Sequence, residues 1–447
     1  MPILPFPCYN YNVGKRIFAS VILILFILAA AYLLTNFGMG YRFDFGKKIL
    51  TTTGILALSS SPQGASIYIN DKLTSATNTS INIVPDWYDI RIEKEGYIPW
   101  RKRVPVKGEI VTKAEALLLP QTPSLKPLTT SGVLSPVLSP SRNQIAYIVP
   151  FDATPSAIQK GGIYVWNLTQ GPLNPLGNSP QLLARSTNNL DFTNSTLIWS
   201  PDEKQIAAAF FEDNKILTES LILPLYILET GITDQIPTPA YSDSLNFLLS
   251  TWEEQESENT DRLLASLPLR LSTVLEDVAT NIELSEDENK ILYQATGSAS
   301  LPPIITPPLI GTNSTPEDRN LKPDNIYIYD LKEDKNFLVK QNSPAKSTEV
   351  NEDILNPDLE IAKKILRRIV NSHQDIRWYP DSNHFVMLEN GTIYITEYDG
   401  LNKTTVYAGP LEDSYVFPWP SGGRILILTN YNKAGSASPN LYAVDLR

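Results

Sequence analysis

A short phrase recurs five times within residues 128–447 and restricts the fold more than any other feature. It reads "LSPSRNQIAYIV" after Val137, then "LIWSPDEKQIAAAF", "IELSEDENKILYQA", "IRWYPDSNHFVMLE" and "YVFPWPSGGRILIL". Each copy is an apolar segment, a polar turn and a second apolar segment. The Pro-Asp pairs at 201–202 and 380–381 suit a tight turn, because proline presets φ and aspartate binds nearby backbone N–H groups. The phrase therefore predicts five β-hairpins.

A second phrase follows each hairpin and adds further strands to every repeat. It reads "GIYVWNL", "PLYILET", "NIYIYDL", "TIYITEY" and, near the C-terminus, "NLYAVDL". Four-stranded units repeated about five times are typical of a β-propeller, which we predict over 128–447. "WSPDEKQIA" followed by "LYILE" resembles the blades of TolB-like and WD-repeat-like propellers. We expect Trp199, Trp378 and Trp419 to pack between blades and not to bind ligand.

Three insertions interrupt the repeats, at about 242–271, 297–320 and 351–370. The first and last have helical patterns. In the last, Asn356 and Pro357 suit a helix start, and one apolar stripe is expected to pack on the propeller. The stripe consists of Leu359, Ile361, Ala362, Ile365, Leu366 and Ile369. The proline-rich insertion is too apolar to stay in water, so residues 301–310 are expected to cover a blade or to bind a partner.

The segment 17–34, "IFASVILILFILAAAYLL", has one polar residue and is long enough to span a bilayer as a helix. We predict a transmembrane anchor over 17–37 after a cytoplasmic tail at 1–16. Two alternatives stay open: a buried core helix, and a signal peptide cleaved after Ala29-Ala30-Ala31. Basic residues flank both ends of the segment, so charge does not decide its orientation.

The charge after the anchor argues against nucleic-acid binding. Residues 1–50 hold five of the 37 basic residues and one of the 48 acidic residues, which leaves 32 basic against 47 acidic. Such a surface repels phosphate backbones. The single cysteine, Cys8, precedes the anchor, so disulfides are excluded from everything that follows.

Between the anchor and the repeats, residues 53–120 have the period of two that is typical of half-buried strands. Ile67 and Ile69 alternate with polar residues, and "IRI" at 90–92 repeats the pattern. Proline and glycine at 62 and 64 end one strand and permit a sharp turn, and Asn70-Asp71 suits a hairpin turn. A small β-sandwich is expected here.

This segment resembles the PEGA domain family in "SPQGASIYIND" and "WYDIRIEKEGYIPW". The matching family residues are Pro62, Gly64, Ala65, Gly96 and Tyr97. Gln63 replaces the usual glutamate, and "TSATNTS" departs from the family's next segment, which leaves the second hairpin open. The resemblance implies an extracytoplasmic all-β module that mediates envelope interactions without catalysis, and it makes the five residues structural. The basic run Arg101–Arg103 is interpreted as a solvated strand face, with lipid headgroups or an acidic glycan as the alternative.

Catalytic patterns are nearly missing from the sequence. No nucleophile elbow, zinc-binding helix, phosphate loop or dinucleotide fingerprint occurs, and His373 and His384 are the only histidines. Ser343 and Lys346 fit a Ser-x-x-Lys pattern of little specificity, and the acidic pairs lie in turns or on predicted helices. We therefore predict no catalytic residues, no metal site and no cofactor.

Together these features predict an all-β chain with an N-terminal transmembrane helix, a PEGA-like sandwich and a propeller of about five blades. We expect a non-catalytic binding scaffold of the cell envelope, with its C-terminal domains outside the membrane. Its partner would be an envelope protein, peptidoglycan or a surface glycan, and not nucleic acid. The alternative is an envelope hydrolase that acts on carbohydrate through carboxylates in the propeller channel.

Overall fold

The computed structural model describes residues 13–38, 41–44, 49–151, 161–169, 179–211, 221–342, 357–372, 376–412, 415–431 and 438–447. The chain divides into two compact units. The first comprises Met1–Leu118 with Ile310–Ser314, and the second comprises Leu119–Leu309 with Thr315–Arg447.

The first unit begins with helix α1, Val13–Gly38. Its stretch Arg16–Thr35 has a mean hydropathy of 2.9, and its side chains are exposed all round the helix. Within the described ranges this is the one helix long and apolar enough to cross a membrane. Strands β1 (Tyr41–Asp44) and β2 (Ile49–Thr52) then form a hairpin that pairs Tyr41 with Thr52.

The predicted sandwich follows as two small sheets that enclose one core. Strands β6-β3-β9 form the first and β5-β4-β7-β8 the second, with β3 and β9 parallel. Their bounds are β3 Gly54–Ser61, β4 Ser66–Ile69, β5 Lys72–Ala76, β6 Thr79–Ile83, β7 Asp86–Glu93, β8 Trp100–Val106 and β9 Val111–Leu117. Ile67, Ile69, Ile90 and Ile92 are all buried, as the alternation predicted. Each contributes about 1.5–3 kcal/mol relative to an exposed position.

The second unit holds five four-stranded antiparallel sheets among its described residues. The sheets are β11-β12-β13-β14, β15-β16-β17-β18, β19-β20-β23-β24, β25-β26-β27-β28 and β10-β31-β30-β29, here called sheets 1 to 5. The bounds are β10 Ser124–Pro127, β11 Leu134–Leu138, β12 Gln144–Val149, β13 Gly162–Asn167, β14 Gln181–Arg185, β15 Ser195–Trp199, β16 Gln205–Phe211, β17 Leu221–Glu229, β18 Thr238–Ala240, β19 Ala279–Leu284, β20 Lys290–Ala295, β21 Ala299–Ser300, β22 Asn320–Leu321, β23 Ile326–Asp330, β24 Lys335–Lys340, β25 Ile376–Trp378, β26 His384–Glu389, β27 Thr392–Glu397, β28 Thr404–Tyr407, β29 Val416–Pro418, β30 Arg424–Thr429 and β31 Asn440–Asp445. All five predicted hairpins are present.

The five hairpin turns have the same backbone geometry. In each, the fourth residue donates its N–H to the carbonyl of the first at 2.8–3.2 Å. The fourth residue also has positive φ in every turn. These residues are Arg142 (63°), Glu203 (62°), Glu288 (56°), Ser382 (59°) and Gly422 (69°). The predicted role of aspartate is confirmed at Asp202 and Asp381, whose carboxylates accept backbone N–H groups within their own turns.

Neighbouring sheets share apolar clusters. Sheet 1 packs against sheet 2 through Phe192 and Trp199, and against sheet 5 through Trp166 and Trp419. Sheet 3 packs against sheet 4 around Trp378. Trp199 donates its Nε1–H to the carbonyl of Val137 in sheet 1 at 3.2 Å. Trp378 does the same to Glu283 in sheet 3 at 3.2 Å. The prediction that these tryptophans pack between repeats is confirmed.

Three helices pack against sheets 2 and 3. Helix α2 (Ser242–Ser266) is followed by α3 (Leu269–Val278), so helical structure extends seven residues past the predicted 271 and breaks at Pro268. Helix α4 (Pro357–Ser372) begins at the predicted proline. Its residues Ile361, Ile365 and Ile369 pack with Trp252 of α2 on sheet 2, as the stripe predicted.

The proline-rich insertion lies between β20 and β23 of sheet 3, and its first half is held by contacts within the second unit. Leu301 is buried and Ile304 packs in the core of sheet 3. The Asp334 carboxylate accepts the backbone N–H groups of Ile304 and Ile305, both at 2.8 Å. Covering of a sheet is therefore confirmed for 301–305. Leu309 is 47% exposed, so partner binding stays open for the later residues.

Sheet 5 is completed by the first strand of the second unit. Strand β10 pairs with β31, Ser124 opposite Asp445, and joins chain segments more than 300 residues apart. The Asp445 carboxylate accepts a hydrogen bond from Arg424 at 2.7 Å and another from Lys126. Burial raises the pKa of Asp445, but these two cations outweigh it and hold the pKa below its ordinary value.

Replacing Asp445 with asparagine is expected to lower the free energy of unfolding at pH 7 by about 1.5–3 kcal/mol, because two charge-assisted hydrogen bonds are lost. A carboxyl whose pKa is lowered by folding stabilises the fold at pH values above its pKa in the unfolded chain. This stabilisation disappears as the pH falls through its pKa in the folded protein. The difference between Asp445→Asn and the parent, measured by urea unfolding, should therefore shrink below pH 3.8. Asp261→Asn, at an exposed position on α2, is the control. A difference that is constant with pH would contradict the assignment.

Candidate functional site

The five residues that match the PEGA motif lie at one end of the sandwich. Gly64 has φ +74°, and Ala65 is fully buried. Ala65 donates its N–H to the Thr77 hydroxyl at 3.0 Å and accepts the Thr77 N–H at 2.9 Å. The Ser60 hydroxyl also lies 2.7 Å from that of Thr77. Pro62 therefore lies in a corner whose polar groups bind one another. The segment around Thr77 crosses from β5 in one sheet to β6 in the other, so no hairpin forms at the place where the sequence departs from the family.

The second half of the motif meets the first. Gly96 has φ +81°, and the N–H of Tyr97 bonds to the carbonyl of Lys94 at 3.0 Å. The Lys94 Nζ donates to the carbonyl of Gln63 at 2.5 Å, and the Tyr97 ring packs on the core. The two loops that carry the motif residues are thus held together by their neighbours Lys94 and Gln63, which fits the structural role that the resemblance implies.

Replacing Gly96 with alanine is expected to destabilise the sandwich by about 1–2 kcal/mol. A Cβ at Gly96 would meet no atom within 4 Å, so the cost comes from the left-handed backbone and not from crowding. Gly96→Asn should cost less, since asparagine tolerates this conformation. Hydrogen exchange of peptides from β7 and β8 in the full chain would measure both. Equal protection in Gly96→Ala and the parent would contradict the argument.

The outer face of the sheet β5-β4-β7-β8 carries paired charges. The Arg91 guanidinium lies 3.9 Å from the centre of the Tyr68 ring and donates to Glu93, which lowers the pKa of that carboxyl. Arg103 lies over the Trp87 ring at 5.5 Å and 3.7 Å from Asp89. Arg101 and Arg103 are exposed, as both the solvated strand face and its alternative, contact with lipid headgroups or an acidic glycan, require.

A half-buried ion-pair cluster joins sheets 1, 3 and 4. Arg142, in the first hairpin turn, pairs with Glu283 on β19. Arg377 on β25 lies near enough to repel Arg142, and its guanidinium lies 5.2 Å from the centre of the Phe417 ring. Burial together with the Arg377 charge lowers the pKa of Arg142 to about 10, so it stays charged at neutral pH. The cluster therefore stabilises contacts between sheets.

The hydrolase alternative concerns carboxylates from different repeats, and this cluster joins charged residues of different repeats. That alternative requires carboxylates from several repeats to converge, with defined separations for acid and nucleophile. Glu283 instead lies against Arg142, with Arg377 close by, and Glu286 acts on the same arginine. Neither guanidinium transfers protons near neutral pH. The observed chemistry is charge pairing between repeats.

Of the two histidines in the sequence, the structure describes His384. The buried His384 Nδ1 lies 2.7 Å from the Asp381 carboxylate within the fourth hairpin turn, which is a structural position. His373, Ser343 and Lys346 lie outside the described residues. In the ranges that the structure describes, no three His, Cys, Asp or Glu side chains are grouped so as to hold a metal ion.

A cleft of about 520 Å³ lies between sheet 2 and helix α2. Asp202, Lys204 and Glu229 supply charges on its sheet side, while Trp252 and Gln255 line its helix side. The Arg368 guanidinium lies 5.4 Å from the centre of the Trp252 ring. Neither this cleft nor the Arg142 cluster could be predicted from the sequence, because helix packing and pairing across repeats leave no local pattern. The apolar side chains Leu248 and Trp252 line the cleft together with its polar residues.

Comparisons with known proteins agree with the motif assignment. The family model of the PEGA domain matches residues 53–121, which confirms the resemblance in the first unit. No curated protein sequence matches the chain.

Several solved β-propeller structures are similar to the chain at low identity. TolB from Acinetobacter baumannii is 12% identical over 80% of this chain and 59% of its own, with a TM-score of 0.22. A TolB from Agrobacterium tumefaciens is 11% identical over 77% and 89%, with a TM-score of 0.17. The β-propeller domain of the Trilobed protease from Pyrococcus furiosus is 12% identical over 89% and 97%, with a TM-score of 0.20. The chain thus spans less than two thirds of the first of these proteins. TM-scores this low carry no argument, so the fold description depends on the sheets themselves.

Proposed function

We propose that this chain is a membrane-anchored binding scaffold of the cell envelope and that it is not an enzyme. Helix α1 is the anchor, the PEGA domain lies on its extracytoplasmic side, and the five sheets of the second unit form the interaction platform. Its N-terminal tail is cytoplasmic.

The observation that carries this proposal is the order of the first two parts. An apolar helix with no polar face leads, through one short hairpin, into a PEGA domain. A helix that exposes apolar side chains all round is stable in hydrocarbon and not in water. PEGA domains belong outside the cytoplasm, which favours export of everything after the helix.

We infer that sheets 1 to 5 are the blades of a five-bladed propeller. The contacts of sheet 1 with sheets 2 and 5, and the contact of sheet 3 with sheet 4, support a ring. The pairing of β10 with β31 joins the two ends of the repeat region, as ring closure requires. A closed ring of short sheets protects its strand edges and offers its loops for binding.

A binding role follows from what the polar residues do. The motif residues of the PEGA domain and the Arg142 cluster are used in contacts within the protein. The surface charge is acidic, with a formal net charge of −11 for the whole chain. We propose an envelope protein, peptidoglycan or a surface glycan as the partner, bound through loops of the sheets. Nucleic acid is disfavoured by the same charge.

The proposal is tested by the accessibility of a C-terminal tag to protease on intact cells, with detergent-lysed cells as the control. Digestion before lysis is the expected result. Protection of the tag until lysis would reverse the orientation and would contradict the envelope role. Protein sequencing of the mature N-terminus tests the anchor separately, because Tyr32 at that position would mean that the apolar segment is a cleaved signal peptide.

A further inference from the structure

The hairpin that follows helix α1 brings the chain back towards the helix. Tyr41 follows Gly38 by three residues, so the two Cα atoms are at most about 11 Å apart. Tyr41 pairs with Thr52 in an antiparallel ladder, which places the two Cα atoms about 4.5–5.5 Å apart. Thr52 therefore lies within about 17 Å of the end of α1. The β3 strand of the sandwich starts two residues later, at Gly54.

Several other segments of the sandwich lie at the Gly54 end. Gly54 pairs with Ile83, and Asp86 pairs with Val106. A Cβ at Gly108 would meet the Thr52 side chain at 2.2 Å and the Pro85 ring at 3.6 Å. We call residues 52–55, 83–87 and 105–111 the proximal end. The PEGA motif residues at 62–65 and 96–97 lie at the opposite, distal end.

Exposed apolar side chains are concentrated at the proximal end. Five large hydrophobic residues of the sandwich are exposed among the residues described, and four of them lie there. The four are Ile55 (38%), Val84 (51%), Trp87 (48%) and Val111 (49%), whereas Leu73 is the exception. The distal loops expose polar residues such as Gln63 and Glu95. A surface facing only water gains nothing from this asymmetry.

The chemistry of this end suits a membrane interface. Tryptophan is favoured at the level of lipid headgroups, where its ring is in an apolar layer and its N–H meets water. Arg103, beside the Trp87 ring, and the exposed Lys107 are able to reach headgroup phosphates. Asp86, Asp89 and Glu109 balance these cations. Attraction is therefore mainly apolar and does not require anionic lipid.

We propose that the proximal end of the PEGA domain rests on the bilayer surface, with Val84 and Trp87 in the headgroup region. This inference depends on the proposed function, since it requires α1 to span the membrane. The PEGA domain then acts as a base that fixes the height of the scaffold above the membrane and is not a freely swinging linker.

Single cysteines carrying the fluorophore NBD would test the contact in the full chain. In a Cys8→Ser background, the three positions are Val84→Cys at the proximal end, Glu95→Cys at the distal end and Leu25→Cys in α1. Each protein is reconstituted in phosphatidylcholine vesicles with and without doxyl-labelled phosphatidylcholine, which quenches NBD on contact. We expect strong quenching at Leu25→Cys, clear quenching at Val84→Cys and none at Glu95→Cys. Adding Trp87→Ser should weaken the quenching at Val84→Cys.

Each other outcome has a distinct meaning. Quenching at Leu25→Cys alone would overturn the contact and leave the anchor standing. No quenching at Leu25→Cys would overturn the anchor and the contact together. Equal quenching at Val84→Cys and Glu95→Cys would overturn the assignment of the proximal end. A blue shift at Val84→Cys without quenching would mean that a second copy of the chain covers this end, which would also overturn the proposal.

Discussion

Replacing Trp378 with alanine is expected to lower the free energy of unfolding of the second unit by about 3–5 kcal/mol. The indole is buried in the cluster shared by sheets 3 and 4, and its Nε1–H donates to the Glu283 carbonyl. Alanine would leave a cavity between sheets and an unpaired carbonyl. Urea unfolding of the full chain at pH 7 measures the loss.

Two variants make this result specific. Trp378→Phe keeps most of the ring volume but loses the N–H. Loss of that hydrogen bond should cost about 0.5–1.5 kcal/mol, in addition to the small cost of the changed ring size. Trp87→Ala, at a half-exposed position, should leave the second unit unchanged. If Trp378→Ala unfolds at the same urea concentration as the parent, Trp378 does not join the two sheets.

Introducing arginine at both Leu25 and Leu28 is expected to release the protein from the membrane fraction. Each arginine near the centre of a spanning helix costs about 2.5–3.5 kcal/mol of insertion free energy. Both positions lie near the middle of the apolar stretch Arg16–Thr35. Sedimentation of membranes after an alkaline carbonate wash, followed by detection of a C-terminal tag, measures the distribution.

The matched control replaces the same two residues with phenylalanine, which keeps the helix apolar and should keep the protein in the membrane pellet. If the double arginine variant also stays in the pellet after the wash, α1 is not what holds the chain there. Detection of the parent in the soluble fraction at a reduced size would instead favour cleavage of the apolar segment.

Local patterns predicted most of the strand architecture. The five hairpin turns were found because proline and aspartate act within their own turn, and those contacts need no distant partner. The sandwich strands were found for the same reason, since alternation such as Ile67 and Ile69 reports burial of one face. The helix start at Pro357 is a further local signal.

Interactions between residues far apart in the chain could not be predicted from the sequence. Nothing in "SRNQ" around Arg142 indicates a carboxylate partner on β19, and Thr77 gives no local sign that it binds Ala65. Helical structure continued to Val278 because burial of Leu271 and Leu275 against sheet 3 favours the helix after Pro268. The pairing of β10 could not be predicted either, since a strand of four residues is too short to have a pattern of its own.

The pairing of β10 with β31 has a consequence for how the protein is made. Ser124 emerges from the ribosome long before Asp445, 321 residues later, so sheet 5 stays incomplete until β31 has been synthesised. Contacts this far apart in the chain form slowly, and strand edges stay open until they do. If the second unit is exported, its repeats must cross the membrane before the last strand completes sheet 5. Folding of this part is thus expected to finish only after translocation, at a late and rate-limiting step.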